Sequence, residues 1–286
     1  MSSSAILVRQ IPFSFDEDIN PVWNPQRPEW SHMLNGASLT MPYLEPFLIK
    51  TVTEALKQVD DPQLKADVRA FIGQEGAHYK NHRRYNEILK QTCPELADVE
   101  DEMEAEYRAF QKRDLKWRLA YVAGFETMTM GITEWLVRKR ASLFFGADAS
   151  VSSLVLWHMV EETEHKNVAY DLYMHLYGDW RGKALGLLCG STHVAWSSRK
   201  GYRRLLMRDG KWERISSRLR LYAMAARFLV HTSPAMFRSL LPGYHPAKVN
   251  DPEWVAQWTS AYDGLAEGCI PLLDTSDPEI PARFQT

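Results

Sequence analysis

The sequence predicts an all-α protein: a four-helix bundle followed by additional C-terminal helices. Two observations carry this. Apolar residues recur at helical spacing through several long segments, and no run alternates apolar and polar residues for long enough to make a strand. A third is punctuation, since Pro, Gly and Asp fall where one helix should stop and the next begin.

Residues 1–37 read as an irregular arm. Pro12, Pro21, Pro25 and Pro28 oppose a helix there, while Trp23 and Trp30 are placed to pin the arm to the body. A first helix is expected from Ser38, with Ser38 or Thr40 as its N-cap. Asp60-Asp61-Pro62 closes it and opens the second, which runs to about Lys90 before Cys93-Pro94. A third is expected over about 98–141, the turn Phe144–Asp148 follows, and a fourth covers about 150–177. The bundle thus occupies residues 38–178. Residues 179–286 form a basic helical extension packed on it, with helices over about 182–207, 212–230 and 253–263 and a Pro-rich extended tail from Pro271.

At 286 residues and 45% hydrophobic content, the chain is long enough to bury a full core. The N-terminus lacks a long apolar run, and no stretch approaches the roughly twenty apolar residues that span a bilayer. Cys93, Cys189 and Cys269 are odd in number and far apart, which favours a reducing compartment. The expected location is therefore cytoplasmic, with attachment at a membrane periphery left open. Net charge is −2, yet residues 181–241 hold thirteen basic and two acidic residues, a local charge of +11 that leaves −13 for the rest. Such a segment either packs on the acidic bundle or docks an anionic partner or membrane surface. No nucleic-acid motif accompanies it. The sequence is also compatible with a homodimer.

The chemistry-bearing pattern is E-x-x-H, twice. Glu75 precedes His78 by three in FIGQEGAHYKNH, and Glu162 precedes His165 by three in WHMVEETEHKN. On a helix, such pairs share one face and can hold one metal ion together. The other two helices each offer one carboxylate in an apolar setting: Glu45 in PYLEPFLI and Glu126 in YVAGFETMTMG. Four buried carboxylates need compensating charge, which two metal ions would supply. His158, four before Glu162 and seven before His165, lies on the same stripe and is a seventh candidate ligand. Glu134 shares a broad face with Glu126 and is its alternative, though Arg138 and Lys139 lie near it. His82 reads as a supporting or lining residue. Glu161 and Glu164 read as solvent-facing, or as supporting residues at most. Pro46 opposes helical geometry at Glu45, so the helix should be distorted or only beginning there.

From Glu45 to His165 the chain resembles the ferritin-like dinuclear metal carboxylate proteins. Its H-x-x-x-E-x-x-H, formed by His158, Glu162 and His165, is similar to that of the di-iron arylamine N-oxygenases, which carry an extra histidine ligand there. Its QE-x-x-H-x-x-x-H and H-x-x-E-E-x-E-H-K are similar to a bacterial family labelled predicted metal-dependent hydrolases. The resemblance implies a di-iron oxidoreductase that uses O2 and an electron donor to oxidise a small organic substrate. A dinuclear hydrolase and a non-catalytic metal-bound scaffold are the alternatives. Carboxylate and imidazole ligands without thiolate point to two iron ions first, with manganese or zinc next. Phe125, Met128, Met130 and Met159 are candidates for an apolar pocket beside them.

Overall fold

The computed structural model describes residues 6–285. Among the described residues nine α-helices follow one another: α1 (Pro28–Leu56), α2 (Pro62–Thr92), α3 (Leu96–Phe110), α4 (Leu115–Phe144), α5 (Ala149–His165), α6 (Val168–Tyr177), α7 (Trp180–Arg208), α8 (Ile215–Ser239) and α9 (Glu253–Asp263). Among the described residues there is no strand, only an isolated bridge between Leu273 and Phe284. Asp residues start four of the helices. The side chains of Asp61, Asp114, Asp148 and Asp179 accept from the backbone N–H of Leu64, Trp117, Val151 and Gly182, respectively. Gly178, at φ 57°, closes α6, a conformation that costs a residue with a Cβ.

Three boundaries differ from the sequence expectation. The first helix starts ten residues early, because Pro28 occupies its first turn, where no N–H bond is lost. Ser38 and Thr40 are therefore interior and buried, not caps. The long third helix is two, α3 and α4, separated at 111–114, where Asp114 restarts the chain. The fourth is also two, breaking at Lys166-Asn167 immediately after His165. The arm ahead of α1 is irregular as expected, and both tryptophans are buried: Trp23 stacks on Phe144, and Trp30 meets Trp135 edge-on. The tail after α9 is also irregular, with Leu273 and Ile280 fully buried.

α1 runs unbroken through Pro42 and Pro46. Each proline deprives the carbonyl four residues earlier of its helical partner. The two released carbonyls are both taken by α2: Asn86 Nδ2 donates to Ser38 O at 2.9 Å, and Arg83 Nη2 to Pro42 O at 3.5 Å. The helix therefore neither starts nor breaks at Glu45, and the freed backbone groups tie α1 to its neighbour.

α1 packs on α2, α4 and α7, and α4 packs on α5, α6, α7 and α8. The contact between α4 and α7 is backbone to backbone. A Cβ built on Gly186 would lie 1.9 Å from Ala120 O, and one on Gly124 would lie 2.1 Å from Leu187 N. Only glycine permits this approach. No described helix is long and apolar enough to cross a membrane.

Lys183 on α7 is 1% exposed, donates to Ser239 O, and lies 5.0 Å from the Tyr244 ring centroid. Burial pushes its pKa down from 10.5 to about 8. Between those values the unfolded chain still binds a proton that the folded chain has shed, so stability rises with pH across this window. Lys183→Met should abolish that rise, worth about 2 kcal/mol between pH 7.5 and 10. Thermal denaturation of both proteins at the two pH values measures it.

Candidate metal centre

Four helices bring seven predicted residues to one buried place. α1 supplies Glu45, α2 supplies Glu75 and His78, α4 supplies Glu126, and α5 supplies His158, Glu162 and His165. None is more than 6% exposed. His165 Nε2 lies 3.4 Å from Glu75 Oε1, 3.3 Å from Glu126 Oε2 and 3.5 Å from Glu162 Oε2. His78 Nδ1 is 3.6 Å from Glu75 Oε1. His158 Nε2 is 3.0 Å from Glu162 Oε1 and 3.7 Å from Glu45 Oε1. Ligand atoms within 4.8 Å of one another form overlapping groups, among them Glu75–Glu126–Glu162–His165 and Glu45–Glu75–His78. Glu75 belongs to both.

The donor set fits a cation. Both oxygens of Glu45 and of Glu126, together with Glu75 Oε1, Glu162 Oε2, His78 Nδ1 and His165 Nε2, are buried and have no hydrogen-bond partner. Leaving one such group unpaired costs several kcal/mol, on the order of a strongly destabilising mutation, and these converge on common points. Burial raises the Glu45 carboxyl well above its ordinary range, and the charges of Glu75, Glu162 and Glu126 push the same way. Burial and the Glu162 charge likewise raise Glu126. Glu162 is held well below its ordinary value despite burial, because His165 and His158 oppose it. The cluster is short of positive charge, which a metal cation would supply.

A family profile described as predicted metal-dependent hydrolase matches residues 7–250. The chain belongs to this family. No curated protein matches, and no solved structure does either. The profile covers both E-x-x-H helices, Glu45 and Glu126, so the buried cluster lies inside the segment that defines the family.

In this member of the predicted metal-dependent hydrolase family, hydrogen bonds fix the proton position on all three imidazoles of the cluster. For His158 the chain begins at the carbonyl released by Pro42. Asn86 Nδ2 donates to Ser38 O, so Asn86 Oδ1 accepts from Ser38 Oγ at 2.7 Å. Ser38 Oγ then accepts from His82 Nδ1–H at 2.8 Å, and His82 Nε2 accepts from His158 Nδ1–H at 2.9 Å. That leaves His158 Nε2 unprotonated and facing Glu162 and Glu45. Burial first, then the neighbouring imidazoles, lower the pKa of His82 and of His158, which keeps both neutral. For His165, Nδ1–H donates to Gln74 Oε1 at 2.9 Å, since Gln74 Nε2 donates to Leu7 O and Glu164. For His78, Nε2–H donates to Glu161 Oε2 at 3.0 Å, leaving Nδ1 for the cluster. Without a cation, burial lowers the His78 pKa, but Glu161 and Glu75 outweigh it and hold it at about 9.

Of the two roles open to Glu161 and Glu164, the structure gives the supporting one, and the alternative of Glu134 in place of Glu126 is corrected. Glu161 does not face solvent: it is 0% exposed and is bound by His78 and by Arg9 Nη1 at 3.2 Å. Glu164 is also partly buried, bonded twice by Arg9 at 2.7 Å and once by Gln74. Glu134 is not in the cluster: its side chain is 38% exposed and pairs with Arg138 at 3.1 Å. Glu126 is the residue that α4 directs inward. Arg9, Gln74, Ser38 and Asn86 were not picked out by sequence reasoning. The only available signal was Gln74 standing beside Glu75.

His82→Ala should weaken metal binding by about 10- to 100-fold, because His158 then loses the acceptor that fixes its tautomer. Competition with a chelator of known affinity measures it. His82→Asn, which restores an acceptor, should recover part of the loss.

Proposed function

We propose that the chain is a dinuclear metal enzyme acting on an apolar small molecule, with α1, α2, α4 and α5 forming a ferritin-like four-helix bundle around the metals. The observation that carries this is the set of unpaired, converging carboxylate and imidazole atoms in a buried site. Glu45, Glu75 and His78 would hold one ion, and Glu126, Glu162 and His165 the other. Glu75 lies between the two, and His158 completes the set. Carboxylate and imidazole donors suit iron or manganese, and zinc next.

An apolar pocket of about 120 Å³ adjoins the centre, touching it at His158, Glu162 and His82. Phe125, Met128 and Met159 line it as expected, whereas Met130 does not. A dry cavity of about 150 Å³ accepts benzene, so a single ring or a short aliphatic chain is the natural occupant. The polar lining is sparse, with Asn35, Ser38 and Thr129 among it. The pocket walls are almost wholly apolar. Asn86, Ser38 and His82 hold the proton on His158 Nδ1, and Gln74 and Glu161 hold those on the other two imidazoles.

Family membership favours hydrolysis. Bound metal ions would supply an activated water at neutral pH. The apolar pocket and the extra histidine at 158 favour a second reading, O2-dependent oxidation with an electron donor. One experiment separates them. Protein reconstituted anaerobically with Fe(II), Mn(II) or Zn(II) is assayed against apolar esters, amides and arylamines, with and without O2. Hydrolysis should persist without O2 and with Zn(II). Oxidation should require O2 and a redox-active metal. Fewer than one metal per chain after reconstitution would overturn both readings.

A further inference from the structure

We propose that the solvent-facing side of α7 and α8 docks onto an anionic lipid bilayer. On α8, Ile215, Leu219, Tyr222, Leu229, Val230 and Phe237 recur at helical spacing and all point outward, with Val230 71% and Phe237 68% exposed. The inward face is the other one, where Leu221 is buried and Phe228 packs against Trp135. A helix packed on a protein core normally shows water its polar side. This one shows water its apolar side. α7 adds Leu185, Leu188 and Trp196, also exposed. Single exposed apolar residues are ordinary, but a continuous stripe along a 25-residue helix marks an interaction surface.

Charge selects the occupant. Neither α7 nor α8 contains a carboxylate. Of the thirteen basic residues in 181–241, only Lys200, Arg208 and Arg220 come within 4 Å of a carboxylate among the described residues. Packing against the acidic bundle therefore does not consume the charge. Arg214, Arg227 and Arg238 are exposed on α8 or at its start, beside the apolar stripe. A second copy laid on this face would set like charge against like charge. An anionic bilayer meets both features: acyl chains receive the apolar stripe and head groups receive the guanidinium groups, whose long stems reach past the apolar residues. No described helix crosses a membrane, so the contact lies in the interface plane.

The test is co-sedimentation of the full chain with vesicles of phosphatidylcholine alone or mixed with phosphatidylglycerol. Binding is expected only to the mixed vesicles, and it should weaken as salt rises. The double substitution Leu229→Glu and Phe237→Glu, at exposed positions, should reduce binding by at least about tenfold while leaving the circular dichroism unchanged. No sedimentation at low salt overturns the proposal. So does equal binding by the double variant, or a dimer in light scattering that the same double substitution dissolves.

Discussion

On the proposed dinuclear reading, Glu162→Ala should lower bound metal from two ions per chain to fewer than one. Glu162 sits between the two imidazoles of α5. Its Oε1 is 3.0 Å from His158 and its Oε2 is 3.5 Å from His165. No other carboxylate lies beside both imidazoles of α5: without Glu162, His158 keeps only Glu45 at 3.7 Å, and His165 keeps Glu126 at 3.3 Å and Glu75 at 3.4 Å. Removing one member of a buried charged pair costs about 3–5 kcal/mol. The second loss is of similar size. A ligand held at about a thousand times its Kd stabilises the fold by about 4 kcal/mol, and the variant should forgo that gain. Metal analysis and thermal denaturation with and without added metal measure both. Glu134→Ala, at the exposed ion pair with Arg138, is the control and should change neither by more than about 0.5 kcal/mol. Full metal content in the Glu162 variant would remove the dinuclear assignment.

Gly186→Ala is expected to destabilise the protein by more than about 3 kcal/mol, at the upper end of what overpacking does. The added carbon would fall 1.9 Å from a backbone oxygen of α4, which cannot rotate away. Either α7 lifts off α4 or the helix pair bends, and Glu126 and the pocket residues of α4 move with it. The signature is a loss of stability together with weakened metal binding, although position 186 touches no ligand. Gly210→Ala, in an open turn at φ 62°, should cost only the smaller conformational penalty.

The clustering of these carboxylates and histidines was readable in the sequence because its geometry is local. Residues three apart on one helix share a face whatever the rest of the chain does, and an isolated Glu in an apolar run has few reasons to be there. The supporting residues were not readable because their geometry is long-range. Glu161 looked like a solvated charge on a charged helix. It is buried because Arg9, 152 residues earlier, reaches it from the irregular arm. The helix breaks at 111–114 and 166–167 were hidden for another reason. Neither contains glycine or proline, and Asp114 and Asn167 read equally well as helix-surface residues. Pro28 misled in the opposite direction, since the same ring that breaks a helix interior suits its first turn.

Pro42 carries a consequence for engineering. By helix propensity alone it is a defect of about 3 kcal/mol, and any programme seeking thermostability would replace it early. Pro42→Ala would return an N–H to α1, which would reclaim the Ser38 carbonyl that Asn86 now uses. Asn86 could then turn its amide, Ser38 and His82 could reverse their donors, and the proton on His158 would be free to move to the nitrogen that faces the cluster. A sturdier helix would come with a poorer ligand, so this position sets a trade-off between durability and chemistry.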